Sequence, residues 1–245
     1  MFKNYVAVVT GASRGIGYAT AKALAAEGAH VIAIARTVGS LEALDDDIKA
    51  AGGGETTLVP LDITDYDALD RLGGVIAEKY GKLDILIGNA ATLGDITPIS
   101  HLKPKVWHQL MDINVTANYR LIRSLDPLLR ASDNGRAVFL GSSNVARDPR
   151  PFWGGYAVSK AALECLVKTY AQEIEMSNLR VNILNLGALR TAMRARAVPG
   201  EDASTLDTPA DLMPLMLTLC SPDFNDNGKV ADYKMWKEDK NNFFF

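Results

Sequence analysis

An apolar run, Val6 to Val9, passes without a break into Thr10-Gly11-Ala12-Ser13-Arg14-Gly15-Ile16-Gly17, and from Tyr18 to Ala26 the chain turns alanine-rich, with Ala19, Ala23 and Ala26 near helical spacing. A strand that turns through three glycines straight into a helix leaves few folds open. Glycines let the backbone bend tightly and come close to a pyrophosphate, whose charge then rests against free N–H groups at the positive end of the helix dipole. The spacing departs from the G-x-G-x-x-G fingerprint, and an ordinary strand-to-helix turn is the competing explanation. The flanking strand and helix favour a dinucleotide cradle made by Gly11, Ser13, Arg14, Gly15, Ile16 and Gly17.

The pattern that begins there repeats. Short runs of β-branched and aliphatic residues recur at Val31–Ala35, Thr57–Pro60, Ile85–Ile87, Ala137–Leu140 and Val181–Leu184, separated by segments of roughly 3.6-residue spacing such as Leu163, Val167, Tyr170 and Ile174. Strands alternating with helices predict an α/β, Rossmann-type, doubly wound parallel sheet of about seven strands with helices on both faces. The chain has 245 residues, 48% of them hydrophobic, and no repeat, low-complexity tract or linker divides it, so a single domain over 1–245 is expected. A last strand is expected near Lys229–Tyr233, with residues from about 232 to 245 fraying beyond it because Lys, Asp and Asn dominate that stretch.

The second strand-like run ends at Ala35-Arg36, where an acidic residue would hold the ribose 2′-hydroxyl of NAD. Arginine stands there instead. With Arg14 in the turn, Arg36 can pair with a 2′-phosphate, so NADP is favoured over NAD, against the plainer possibility of a solvated strand-end charge. Asp62, after the third run, is placed to face the adenine end or to cap the next helix.

Tyr156 and Lys160 stand four residues apart, on one face of a helix. A phenol titrating near 10 is a poor base at neutral pH, but a neighbouring ammonium and a positively charged nicotinamide both favour phenolate. Tyr156 can then pass a proton to or from a substrate oxygen while hydride moves at the adjacent carbon. Upstream, the run Val138–Leu140 ends in Gly141-Ser142-Ser143, where open parallel sheets bind ligands, and Ser143 can donate to a carbonyl oxygen. Asn114 sits in an apolar helical stretch, where a buried amide needs partners.

Taken together, Thr10–Gly17, Asn89-Ala90, Asn114, Ser143, Tyr156 and Lys160 resemble the signature set of the single-domain short-chain dehydrogenases/reductases, in order and across nearly the whole chain. That resemblance implies an NAD(P)-dependent oxidoreductase acting on CH–OH groups. It gives Ser143 the task of orienting the substrate oxygen, Tyr156 that of acid/base, Lys160 that of holding the nicotinamide ribose and lowering the phenol's pKa, and Asn114 that of anchoring a relay water. Asn89 and Thr191 would also touch the cofactor. Two positions depart from the pattern: Gly88-Asn89-Ala90-Ala91 stands for the usual Asn-Asn-Ala-Gly, and Leu186-Gly187 for the usual Pro-Gly.

Substrate specificity is expected in Asn144–Gly155 and Ala188–Thr208, which carry Arg147, Arg150, Arg190, Arg194 and Arg196 beside Phe152, Trp153 and Met193. Those arginines read either as a basic mouth for an anionic substrate or as solvated loop charges. A small-molecule carbonyl or alcohol is the expected partner; the formal charge of −3 argues against nucleic acid and anionic lipid, and no apolar run reaches the roughly 18 residues of a membrane span. The first strand starts close to Met1 and leaves no room for a signal peptide, and two distant cysteines fit a reducing compartment, so a cytoplasmic location is expected. His30, His101 and His108 do not converge at ligand spacing, and no metal is expected. Apolar surface on the helices Pro104–Arg130 and Gly154–Ser177 predicts a homodimer or homotetramer. Two other functions compete: a catalytically silent cofactor sensor or scaffold, which loss of Tyr156 or Lys160 would have signalled, and a nucleotide-sugar epimerase or dehydratase, which shows a different glycine spacing and an added C-terminal domain.

Overall fold

The computed structural model describes residues 1–245. Each aliphatic run becomes a strand: β1 (Val6–Thr10), β2 (His30–Ala35), β3 (Thr56–Pro60), β4 (Ile85–Gly88), β5 (Arg136–Gly141), β6 (Arg180–Asn185) and β7 (Val230–Asp232). They form one all-parallel sheet in the order β3-β2-β1-β4-β5-β6-β7. The order reverses between β1 and β4, which pair through Ala7–Ile85 to Val9–Ile87. Connections leave those two strands in opposite directions, and this opens the crevice above their carboxyl ends where such sheets bind ligands.

The helices follow in chain order: α1 (Gly15–Ala26), α2 (Val38–Ala50), α3 (Tyr66–Tyr80), α4 (Pro104–Met111), α5 (Ala117–Arg130), α6 (Ser143–Arg147), α7 (Gly154–Glu173), α8 (Ala192–Ala197), α9 (Met213–Cys220) and α10 (Tyr233–Glu238). Alternation along the strands divides the core. Ala7, Val9, Val31, Ala33, Ile85 and Ile87 face α1, α2 and α9, while Val6, Val8, Ile32, Ile34 and Leu86 face α3, α5 and α7. At Gly73 a Cβ would lie 2.2 Å from the Ser124 carbonyl, so only glycine lets α3 approach α5 this closely.

Two departures from the expected elements bear on the site. The helical stretch around Asn114 is not continuous, because a π-helical turn, Asp112–Thr116, separates α4 from α5 and rotates Asn114 into the interior. The last residues do not fray. After α10 the chain returns antiparallel along β7, with the Asp232 amide donating to Phe243 O at 2.7 Å and the Phe245 amide to Val230 O at 3.1 Å. Phe243 is buried and lies 4.4 Å, centre to centre, from Phe244, which also meets Phe224. Aromatic burial outweighs the polar residues of the tail, and the returning segment covers the open edge of β7.

Candidate active site

The glycine turn meets the demands of a phosphate cradle. Gly11 and Gly15 both hold positive φ, +66° and +60°. At Gly17 a Cβ would lie 2.3 Å from Gly11 O, so the turn closes on itself only with glycine there. Arg14 precedes α1 in an extended conformation, and no side chain caps the helix start, which leaves its first amides free for an anion. Space is open in front of the turn: a Cβ on Gly15 would find only the Thr191 methyl, at 3.9 Å, and one on Gly187 would meet nothing within 4 Å. Ser13 lies half-buried in the same turn, and Ile16 packs its side chain against the core beneath.

Asn89 lies at the carboxyl end of the sheet beneath this cradle. Its side-chain amide donates to Thr10 O at 2.7 Å and Gly11 O at 3.2 Å, and its backbone amide donates to Thr10 Oγ1 at 3.0 Å. The side chain therefore staples the end of β4 to the start of the glycine turn. Across the crevice Thr191 caps α8, accepting from the Arg194 amide at 3.1 Å. At the far end Arg36 is 69% exposed and 3.7 Å from Asp62, so its guanidinium is free to meet a further anion. Asp62 also accepts from the amide and hydroxyl of Thr64 at 2.9 and 2.8 Å. Burial opposes its charge, but the Thr64 hydrogen bonds and Arg36 prevail and hold the carboxyl below the usual range.

Tyr156 and Lys160 occupy the first two turns of α7, facing the end of β5. The Lys160 ammonium is buried, donates to Leu140 O at 2.8 Å, and lies 5.9 Å from the centre of the Tyr156 ring. Burial pushes that ammonium down to about 8. The phenol is pushed up to about 12 by burial, with a hydrogen bond involving Ser142 pulling the other way. Trp153 meets the Tyr156 ring edge-on, at 6.0 Å between centres. Asn114 spends its side chain on structure: Oδ1 accepts from the Thr92 amide at 2.8 Å, and Nδ2 donates to Thr92 O and Ser159 Oγ, each at 2.9 Å. This ties the π turn to the loop after β4 and to α7, between Tyr156 and Lys160.

Ser143 does not face Tyr156. It is fully buried, and its hydroxyl donates to Glu164 Oε2 at 2.7 Å while its amide donates to Asn185 Oδ1 at 2.9 Å. The hydroxyl beside the phenol belongs to Ser142, the half-buried neighbour. Strand alternation cannot choose between adjacent serines once the chain has left β5 at Gly141, and Ser143 is the one bonded inward, to Glu164 and Asn185. Glu164 and Asn185 were not legible as site residues, although Glu164 does repeat the four-residue spacing of Tyr156 and Lys160.

Three of the five loop arginines are taken up within the chain, while Arg150 and Arg190 stay exposed. Arg147 pairs with Glu164 at 2.6 Å, Arg194 makes a two-pronged pair with Glu201 at 2.6 and 2.5 Å, and Arg196 donates to Gly94 O at 3.1 Å. Ile99 and Phe152 are exposed near the start of α7, where Ile99 borders Gly154. No group of three or more His, Cys, Asp and Glu side chains is arranged to hold a metal ion.

A glycine cradle at the switch point of a parallel sheet, with a tyrosine and a buried lysine one helical turn apart beside it, defines a dinucleotide-dependent α/β protein. The family description "short chain dehydrogenase" matches residues 5–202, and the chain belongs to that family. It is 41% identical over 225 residues to an uncharacterized oxidoreductase, YciK, of Escherichia coli K12, covering 91% of this chain and 88% of that one. A solved short chain dehydrogenase from Pseudomonas syringae superposes with a TM-score of 0.91 at 40% identity, covering 94% and 95% of the two chains. Another, from Shigella flexneri 2a and complexed with NADP, gives 0.89 at 39% identity, covering 95% and 98%.

Proposed function

We propose that this chain is an NADP(H)-preferring oxidoreductase that interconverts a carbonyl and a secondary alcohol, with Tyr156 as the acid/base. The observation that carries the reading is the cluster of Ser142, Tyr156 and Lys160 at the carboxyl end of β5, beside an uncapped helix start and an open glycine turn. Gly11, Ser13, Arg14, Gly15, Ile16 and Gly17 would cradle the pyrophosphate. The free face of Arg36 would take the 2′-phosphate, Asp62 the adenine side and Thr191 the nicotinamide side, in keeping with the NADP complex of the Shigella relative. The dinucleotide, when bound, supplies or accepts the hydride.

The chain's own residues handle the proton. The Ser142 hydroxyl orients the substrate oxygen and steadies its developing charge, a role that passes to it from Ser143. Tyr156 donates its phenolic proton to that oxygen during reduction and takes it back during oxidation. Lys160 places a cation beneath the ring, where it favours phenolate and can reach a ribose hydroxyl. With its amide committed to Thr92 and Ser159, Asn114 would act through its backbone carbonyl, which accepts from Asn118 Nδ2 at 2.9 Å and has a second lone pair for a relay water. The paired arginines and the exposed Ile99 and Phe152 favour a neutral, largely apolar carbonyl compound over an anionic one.

Two further parts of the reading concern the chain as a whole. The outward faces of α5 and α7 leave Tyr119 and Val158 exposed, and pairing of two copies there would cover them. No helix is long and apolar enough to cross a membrane, and both cysteines, Cys165 and Cys220, are free, which suits a cytoplasmic, reducing location.

Purified protein mixed with NADPH and a panel of ketones, aldehydes and acyl thioesters tests the reaction. Oxidation of NADPH by a neutral carbonyl class is expected, with NADH a poorer donor. Binding of NADPH without turnover across the panel would favour a cofactor sensor, and no binding of either nucleotide would overturn the reading.

A further inference from the structure

Glu164 lies on α7 one turn beyond Lys160 and two beyond Tyr156, and only 9% of it is exposed. Four hydrogen bonds converge on its carboxylate. Oε2 accepts from Ser143 Oγ at 2.7 Å; Oε1 accepts from Arg147 Nη2 at 2.6 Å, Arg147 Nε at 3.2 Å and Lys168 Nζ at 2.6 Å. Burial opposes its charge, yet Lys168, Arg147 and Ser143 together hold the carboxyl below the usual range.

Lys168 lies on α7 itself, so Arg147 is the one cation that fastens α6 to α7, and it needs a single oxygen. Here the inner oxygen is given to Ser143, and through it to the turn that carries Ser142. The same turn is gripped from the other side, because the Ser143 amide donates to Asn185 Oδ1, and Asn185 Nδ2 donates in turn to Asp232 Oδ2 at 2.5 Å. With the Ser143 hydroxyl and amide both drawn inward, the preceding residue is left to face the crevice. The outer end of the cluster reaches the C-terminal segment, where the Arg147 guanidinium lies 5.0 Å from the centre of the Phe245 ring.

We propose that Glu164, clamped by Arg147 and Lys168, is a positioning residue: it holds the Ser143 hydroxyl inward, so that the Ser142 hydroxyl faces Tyr156 and the substrate oxygen. This inference rests on the acid/base reading of Tyr156. Glu164 touches neither substrate nor cofactor. It acts by fixing which of two adjacent serines is presented, and losing that choice costs a hydrogen bond at the reacting oxygen.

The test is a double-mutant cycle on the full-length protein with NADPH and the carbonyl substrate found for it. Glu164→Ala and Ser143→Ala should each lower kcat about tenfold, as expected for one misplaced hydrogen bond near charge. KM for the carbonyl and Kd for NADPH should stay unchanged. The double variant should be no slower than either single one, since both break the same link. Glu164→Gln keeps an acceptor oxygen for Ser143 and should recover most of kcat. In the slowed variants the basic limb of the pH–rate profile should move up, because Tyr156 loses the Ser142 bond that pulls its pKa down, a shift that loosened packing alone would not produce.

Losses that multiply in the double variant, or an unmoved basic limb, would overturn the proposal. Should Glu164→Ala fail to fold, Ser143→Ala and Glu164→Gln carry the same comparison. Tyr156→Phe runs alongside: full activity there would remove the acid/base reading itself, whereas inactive Tyr156→Phe with normal Ser143→Ala and Glu164 variants would remove only this inference.

Discussion

Replacing Lys160 by methionine should make the cofactor-free protein more stable at neutral pH while removing its activity. The ammonium is 4% exposed, and its hydrogen-bond partner is a carbonyl, Leu140 O at 2.8 Å, rather than a carboxylate. Burial takes its pKa from 10.5 to about 8. Below about pH 8 the group is protonated in both the folded and unfolded chain, so the full cost of burying a charge is present there. As pH rises from about 8 to 10.5 the folded chain releases its proton while the unfolded chain keeps it, and the wild-type protein gains stability across that window. At about 1.4 kcal/mol per pKa unit, the interval corresponds to roughly 3 kcal/mol. Loss of the bond to Leu140 returns about 1 kcal/mol of that. The net gain for Lys160→Met is then about 2 kcal/mol at pH 7, or roughly 4 to 8 °C in the unfolding midpoint for a chain of this size. Calorimetric melts of both proteins without nucleotide, on either side of that window, measure it. The gap should narrow through the window, close within it and reverse by about 1 kcal/mol at its top, where the neutral amine keeps its bond to Leu140. A variant less stable than wild type at pH 7, or a gap indifferent to pH, would show that the ammonium is compensated and that the argument from its burial is wrong.

Two other substitutions test separate parts of the account. Arg36→Ala should weaken NADPH binding about tenfold, the worth of a partly solvated charge-assisted contact, and change NADH binding less than twofold or so; equal losses by fluorescence titration would return Arg36 to a solvated strand-end charge. Phe243→Ala should cost about 3 kcal/mol by denaturant unfolding and speed hydrogen exchange at the Asp232 amide, since it empties a buried aromatic site and loosens the segment covering β7; an unchanged midpoint would mean that the tail adds nothing to the fold.

How far the residues announce this molecule differs from one feature to the next. The seven strands and their parallel order follow from aliphatic runs buried on both faces, and Tyr156 and Lys160 meet because helical spacing puts them on one face. Arg136 is opaque by comparison. It sits at the start of a core strand, 2% exposed, and satisfies its guanidinium with the carbonyls of Gly135, Asn178, Ser221 and Pro222, contacts that exist only after the fold has formed. Arg147, Arg194 and Arg196 suggested a basic mouth because their partners lie 17, 7 and 102 residues away and include a backbone carbonyl. The choice between Ser142 and Ser143 is invisible for the same reason, since Glu164 makes it from 21 residues downstream. The tail misleads in composition: three phenylalanines among lysines, asparagines and aspartates look solvated until β7 offers them an edge.

The central claim is that Tyr156 moves the proton while the dinucleotide moves the hydride, and Tyr156→Phe tests it most directly. The substitution keeps the ring against Trp153 and above Lys160 and removes only the hydroxyl. Single-turnover oxidation of NADPH by the preferred carbonyl, measured beside the NADPH dissociation constant, should slow by about a hundredfold or more while the dissociation constant stays within error. A variant that binds NADPH and turns over at the wild-type rate would contradict the assignment of Tyr156 as the acid/base.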